Sequence, residues 1–139
     1  MDWKWTWLHI YRVLFIGVNC GGYIEASSDS DGIIHSPRYP SNYDDNVVCI
    51  WLIEAQSGYS ISLSMDEIQL EKEGTGSGCV DFVEIRNGSS IQTLLYHDCD
   101  NTSNNTIQAR WLWIKFYTNY VTSNKGFTSS WRVVRDPCI

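Results

Sequence analysis

The stretch "LEKEGTGSGCVDFVEIRNG", residues 70–88, passes from a polar, glycine-rich loop into a short run of alternating side chains. A two-residue period is the mark of a strand, and it places Asp81 on the same face as Val83 and Ile85. Asn87-Gly88 then closes the run with a pair suited to a tight hairpin turn. A carboxylate beside apolar neighbours is costly unless a partner satisfies it or it sits at a wet strand end. Asp81 is therefore the residue whose surroundings need explaining.

Working outward from this strand, expected over 80–86, the flanking sequence has the same character. "VVCIWLI" (47–53) is apolar on both faces, as a central strand should be, and "YSISLSM" (59–65) alternates strictly, turning Tyr59, Ile61, Leu63 and Met65 inward. Further strands are expected over 91–96, 107–117 and 127–134. No segment holds a helical period over useful length, so the pattern is that of an all-β sandwich. "HSPRYPSNYDDN" (35–46) reads as a rigid connection that packs Tyr39 and Tyr43 against the sandwich, whereas 71–78 and 98–106 read as polar, exposed loops.

The chain has 139 residues, enough for one domain with a real core, and 43% hydrophobic against 19% charged residues excludes a disordered chain. A formal charge of -6 argues against nucleic acid or an anionic membrane as partner and favours cations or basic proteins. Cys20, Cys49, Cys79, Cys99 and Cys138 include no CxxC pair and no histidine at zinc-like spacing. A disulfide framework in an oxidising compartment follows, although five cysteines alone leave its pairing open. Sequons at Asn87, Asn101 and Asn104 agree with a secreted glycoprotein. Residues 1–19, with Lys4 early and an apolar run from Val13 to Val18, read as a signal peptide; the run falls well short of the roughly 20 residues that span a bilayer, so no membrane insertion is expected.

Five motifs stand in order: "CGG" at 20–22, "SPRYPSNY" at 36–43, "CIWLI" at 49–53, "CVDFVEIRNG" at 79–88 and "GF" at 126–127. Together they resemble the CUB domain over residues 20–134, leaving 135–139 as a C-terminal tail or the start of a following module. The resemblance implies a jelly-roll sandwich of two antiparallel sheets, with Cys20 tied to Cys49 and Cys79 to Cys99. Each bridge should stabilise by about 3 kcal/mol, mainly by restricting the unfolded chain. Cys138 is then unpaired: a free thiol, the first cysteine of another module, or the site of an intermolecular bridge.

Many CUB domains hold calcium at one end of the sandwich, through a Glu before the third cysteine, an Asp after it, and an Asp following the penultimate strand. Glu71 and Asp81 match the first two, and Asn119 replaces the third. With one formal charge lost, the resemblance implies a calcium site that is weak or absent. At the position where calcium-binding members carry a tyrosine, the alignment brings Asp31. Without an ion, Asp81 should accept loop N–H bonds or pair with Lys115 or Lys125, and Glu71 should be a solvated loop acid.

No GxSxG, HExxH or phosphate-cradling loop occurs, and His97-Asp98 beside Cys99 makes no catalytic pair, because adjacent residues of an extended segment point apart. A non-catalytic extracellular module is expected, one that recognises a basic side chain of a protein partner with calcium's help. The alternatives are a structural spacer of a mosaic glycoprotein, in which CUB domains commonly sit beside protease or EGF-like modules, and spermadhesin-type carbohydrate binding. Trp111 and Trp113, on the face opposite Leu112, Ile114 and Phe116, are expected to be packing residues, with a sugar-stacking platform as the alternative.

Overall fold

The computed structural model describes residues 20–76, 78–101 and 106–137. The expected signal peptide, Asn104 and Cys138 lie outside the described residues. The described chain forms strands β1 (Gly22–Ala26), β2 (Asp31–His35), β3 (Val48–Ala55), β4 (Tyr59–Gln69), β5 (Phe82–Arg86), β6 (Leu94–Asp98), β7 (Thr106–Ala109), β8 (Trp111–Tyr117) and β9 (Gly126–Arg135). They make one five-stranded sheet, ordered β1-β3-β8-β5-β6, and one four-stranded sheet, ordered β2-β9-β4-β7. Among the described residues there is no helix.

Every strand pair is antiparallel except β1 with β3, which run parallel from Gly22 opposite Trp51 to Ala26 opposite Ala55. β1 leads into β2 of the other sheet rather than into its own neighbour, so no hairpin fixes its direction. The Cys20–Cys49 bridge ties its start to the start of β3. Gly21, at φ +90, lies so close to β3 that a Cβ would meet the Ile50 carbonyl oxygen at 2.4 Å, which accounts for a glycine after the first cysteine.

The strands bury one face each. Ile61, Leu63 and Met65 of β4, Val83 and Ile85 of β5, Leu112, Ile114 and Phe116 of β8 and Phe127 of β9 are all at most 2% exposed and form one core between the sheets. Phe127 packs edge-on against Trp51 and tilted against Phe116. β3 is apolar on both faces because it is used on both. Cys49 and Ile53 enter the main core, while Ile50 and Leu52 join Trp113 in a smaller cluster with Tyr23 and Val48 packed against it.

Three expected strands differ by more than two residues at an end or divide in two. β4 runs on to Gln69 through a bulge between Met65 and Glu67, which shifts the inward parity from Met65 to Ile68. The run 107–117 is two strands in different sheets: Ile107 is buried from β7 and Leu112 from β8, and the parity break marks the crossing. At the corner, Ala55 N–H bonds to the Arg110 carbonyl and the Arg110 guanidinium returns a bond to the Ala55 carbonyl. The hairpin partner of β5 begins at Leu94 rather than residue 91.

Candidate functional site

Three connections meet at one end of the sandwich: the segment between β2 and β3, the loop between β4 and β5, and the turn between β8 and β9. The first is anchored by Ser36, whose N–H bonds to the Phe127 carbonyl while its hydroxyl accepts the Phe127 N–H. Gly126 makes this approach possible, since at φ +100 a Cβ would fall 2.0 Å from the Ser36 Oγ. Farther along, Tyr43 N–H bonds to the Asn124 carbonyl and Asn46 N–H to the Asn119 carbonyl, stitching the first connection to the third. The second is joined internally, because Val80 N–H and Asp81 N–H both donate to the Glu71 carbonyl.

Asp81 lies at the centre of this junction, immediately before β5 and fully buried. Its Oδ1 accepts the Asn119 N–H at 2.8 Å, and its Oδ2 accepts the Tyr43 hydroxyl at 2.7 Å. Tyr43, 2% exposed and packed edge-on against Phe116, accepts the Glu71 N–H through that same hydroxyl at 3.2 Å. The Glu71 side chain is turned into the junction as well: its Oε2 is buried and has no hydrogen-bond partner.

The charges here are unbalanced. Burial pushes the Asp81 carboxyl above its ordinary value of 3.8, and repulsion from Glu71 and Asp45 adds to the rise, against the Tyr43 and Asn119 hydrogen bonds that favour the anion. Burial, then the bond to Asp81, raises the Tyr43 hydroxyl far beyond its usual range, so it stays a donor. Neither lysine expected near Asp81 reaches it. Lys125 pairs with Glu67 at 2.7 Å, and Lys115 lies over the rings of Phe82 and Tyr117. Of the expected ion-free contacts, the loop N–H bond is present and the lysine pair is not; the Glu71 carboxylate is not simply solvated.

A family model for the CUB domain matches residues 20–131. The chain belongs to the CUB family. It is 31% identical over 131 residues to cubilin of Sus scrofa, covering 92% of this chain and 4% of that protein. It is 33% identical over 125 residues to bone morphogenetic protein 1 of Xenopus laevis, covering 86% of this chain and 16% of the relative. Among solved structures, the MASP-1 CUB2 domain bound to Ca2+ superposes with a TM-score of 0.67 at 26% identity, over 81% of this chain and 99% of that one. The CUB1-EGF-CUB2 region of human MASP-1/3 superposes at 0.71 and 22% identity, over 84% of this chain and 43% of that one.

CUB domains are themselves non-catalytic, belong to extracellular and membrane proteins and generally mediate protein interactions. In this CUB domain the tyrosine that meets the buried Asp is Tyr43. Asp31 lies instead in β2, opposite Arg132 at the edge of the four-stranded sheet, so the expected tyrosine position was misplaced. A loop residue is located by the chain's path rather than by periodicity, and the repeated tyrosine in "SPRYPSNY" was the available signal. The structure brings Glu71, Asp81 and Asn119 together, but Asn119 contributes its backbone; its Oδ1 accepts the Val121 N–H at 3.1 Å.

The remaining singled-out residues sit elsewhere. Among the described residues, the one group of three metal-ligating side chains is Cys79, Asp98 and Cys99, whose cysteines are bridged to each other and hold no thiolate. His97 is exposed and stacks on Phe82 at 4.7 Å between ring centres. Trp113 is buried and Trp111 lies half-buried under the Arg110 guanidinium. Asn87 and Asn101 are exposed. No helix among the described residues is long and apolar enough to cross a membrane.

Proposed function

We propose that this CUB domain is a secreted, non-catalytic recognition module that binds a basic side chain of an extracellular protein through its acidic tip, with a calcium ion at Glu71, Asp81 and Asn119. One observation carries the reading: a fully buried Asp81 beside a Glu71 oxygen that is buried without a partner, with no ammonium or guanidinium paired to either carboxylate among the described residues. Two anions in one water-poor junction favour a hard cation, and calcium takes carboxylate and amide oxygens. Calcium would supply the missing positive charge and order the loops. The Ca2+ held by the similar MASP-1 CUB2 domain supports this choice of ion.

The test has two stages. Calcium added to chelated protein should raise its melting temperature, and Asp81→Ala should remove the rise. The protein should then be retained on a polylysine-coated sensor and released by EDTA. The sign discriminates: stripping calcium makes the protein more negative, so non-specific attraction to polylysine would grow while site-dependent capture falls. Unchanged or stronger capture in EDTA would refute the reading. The engagement of the Asn119 side chain in its own turn favours a second reading, a glycosylated spacer of a larger mosaic protein, with glycans at Asn87 and Asn101. A melting temperature indifferent to calcium would support the spacer.

A further inference from the structure

We propose that Asp45 supplies the carboxylate that position 119 lacks, adding a third acid from a second loop to the calcium site at Glu71, Asp81 and Asn119. The inference rests on the calcium reading above and assigns its third acid. It begins from a mismatch: residue 119 offers an amide in place of a carboxylate, and its Oδ1 already holds the Val121 N–H. A site with Asp81 and the orphaned Glu71 oxygen at its base therefore has two formal negative charges and needs another oxygen.

The backbone fixes Asp45 beside the segment that carries Asn119. The residue before it, Asp44, accepts the Thr118 hydroxyl on its carbonyl at 2.9 Å, and the residue after it, Asn46, donates its N–H to the Asn119 carbonyl at 2.7 Å. Asp45 is thus pinned from both sides against the segment that carries Asn119. Asn46 adopts φ 54, the left-handed conformation that asparagine tolerates better than most residues, and this turns the chain at the junction. The Asp45 side chain is exposed and makes no hydrogen bond or ion pair among the described residues, so it is free to swing inward, and its charge is already felt at Asp81. Asp44 is different. Its carboxylate is held by Arg38 at 2.6 Å and is not available.

This contrast supplies the experiment. Asp44→Asn and Asp45→Asn each remove one charge from adjacent exposed positions, and both are titrated in high salt, which screens exposed charges but not a direct ligand. The full chain, stripped with chelator, is titrated with calcium chloride while its melting temperature is followed. Wild type and Asp44→Asn should titrate together, and Asp45→Asn should need at least about tenfold more calcium, in line with the dependence of affinity on ligand charge. Adding Asn119→Asp to the Asp45→Asn variant should restore the response. If Asp45→Asn titrates like wild type, the assignment of Asp45 is overturned while calcium binding stands. If wild type itself shows no shift, both fall.

Discussion

Tyr39 and Tyr43 belong to one loop and each donates its hydroxyl to a carboxylate, yet the two carboxylates are in opposite situations. Glu67, which accepts Tyr39 at 2.5 Å, lies near the surface and also binds the Lys125 ammonium at 2.7 Å and the Gln69 amide at 2.8 Å. The lysine bond, then the tyrosine bond, hold its carboxyl below the ordinary value of 4.5. Asp81, which accepts Tyr43 at 2.7 Å, is buried, receives only neutral donors and has its carboxyl pushed up. The first cluster contains its own cation and is electrically closed. The second has hydrogen bonds without a countercharge, which is the arrangement expected where the cation comes from outside.

The sharpest way to break this contrast is to remove each hydroxyl in turn. Tyr43→Phe leaves the buried Asp81 Oδ2 and the Glu71 N–H without their partner, and should lower unfolding stability by about 2–3 kcal/mol in urea with chelator present. Tyr39→Phe leaves an oxygen that water can reach, and should cost far less. Equal losses would show that the two tyrosines are interchangeable packing residues. Calcium gives the next largest effect: at tenfold above the dissociation constant it should add about 1.4 kcal/mol to wild type and nothing to Asp81→Ala. Glu67→Gln should leave that gain intact, since its cluster already holds Lys125.

Asp81 was legible because a two-residue period fixes the side to which residue 81 points once Val83 and Ile85 are known to be inside, and all three are buried. The same rule read the inner face of β4 up to Met65, and failed where the bulge shifts parity before Ile68. It joined β7 to β8 because the corner at Arg110 inserts no glycine or proline to signal the crossing. β1 and β2 carry little pattern: both are five-residue edge strands, and β2 exposes Asp31, Ile33 and His35 while burying only Ile34. The pairing of Glu71 with Asp81 came from family likeness, and the contact of Tyr43 with Asp81 depends on where a proline-containing loop lands, which no local pattern encodes.

The finest test of the contrast is its pH dependence, where the two carboxylates should act with opposite sign. Asp81 has a folded pKa above 3.8, so in chelator the folded state binds a proton that the unfolded chain has released. Its contribution to stability is complete below 3.8 and is lost as pH rises through the folded value. Glu67 has a folded pKa below 4.5, so its contribution is present above 4.5 and is lost as pH falls through the folded value. Unfolding stability measured between about pH 3 and 7 should therefore lose its falling component in Asp81→Asn and its rising component in Glu67→Gln, the latter being the smaller because that cluster is exposed and screened by water. Saturating calcium should invert only the first: an ion on the carboxylate favours the anion, so the Asp81-dependent component should rise with pH. An Asp81 component that keeps its sign in calcium would mean that the buried acid meets no cation at all.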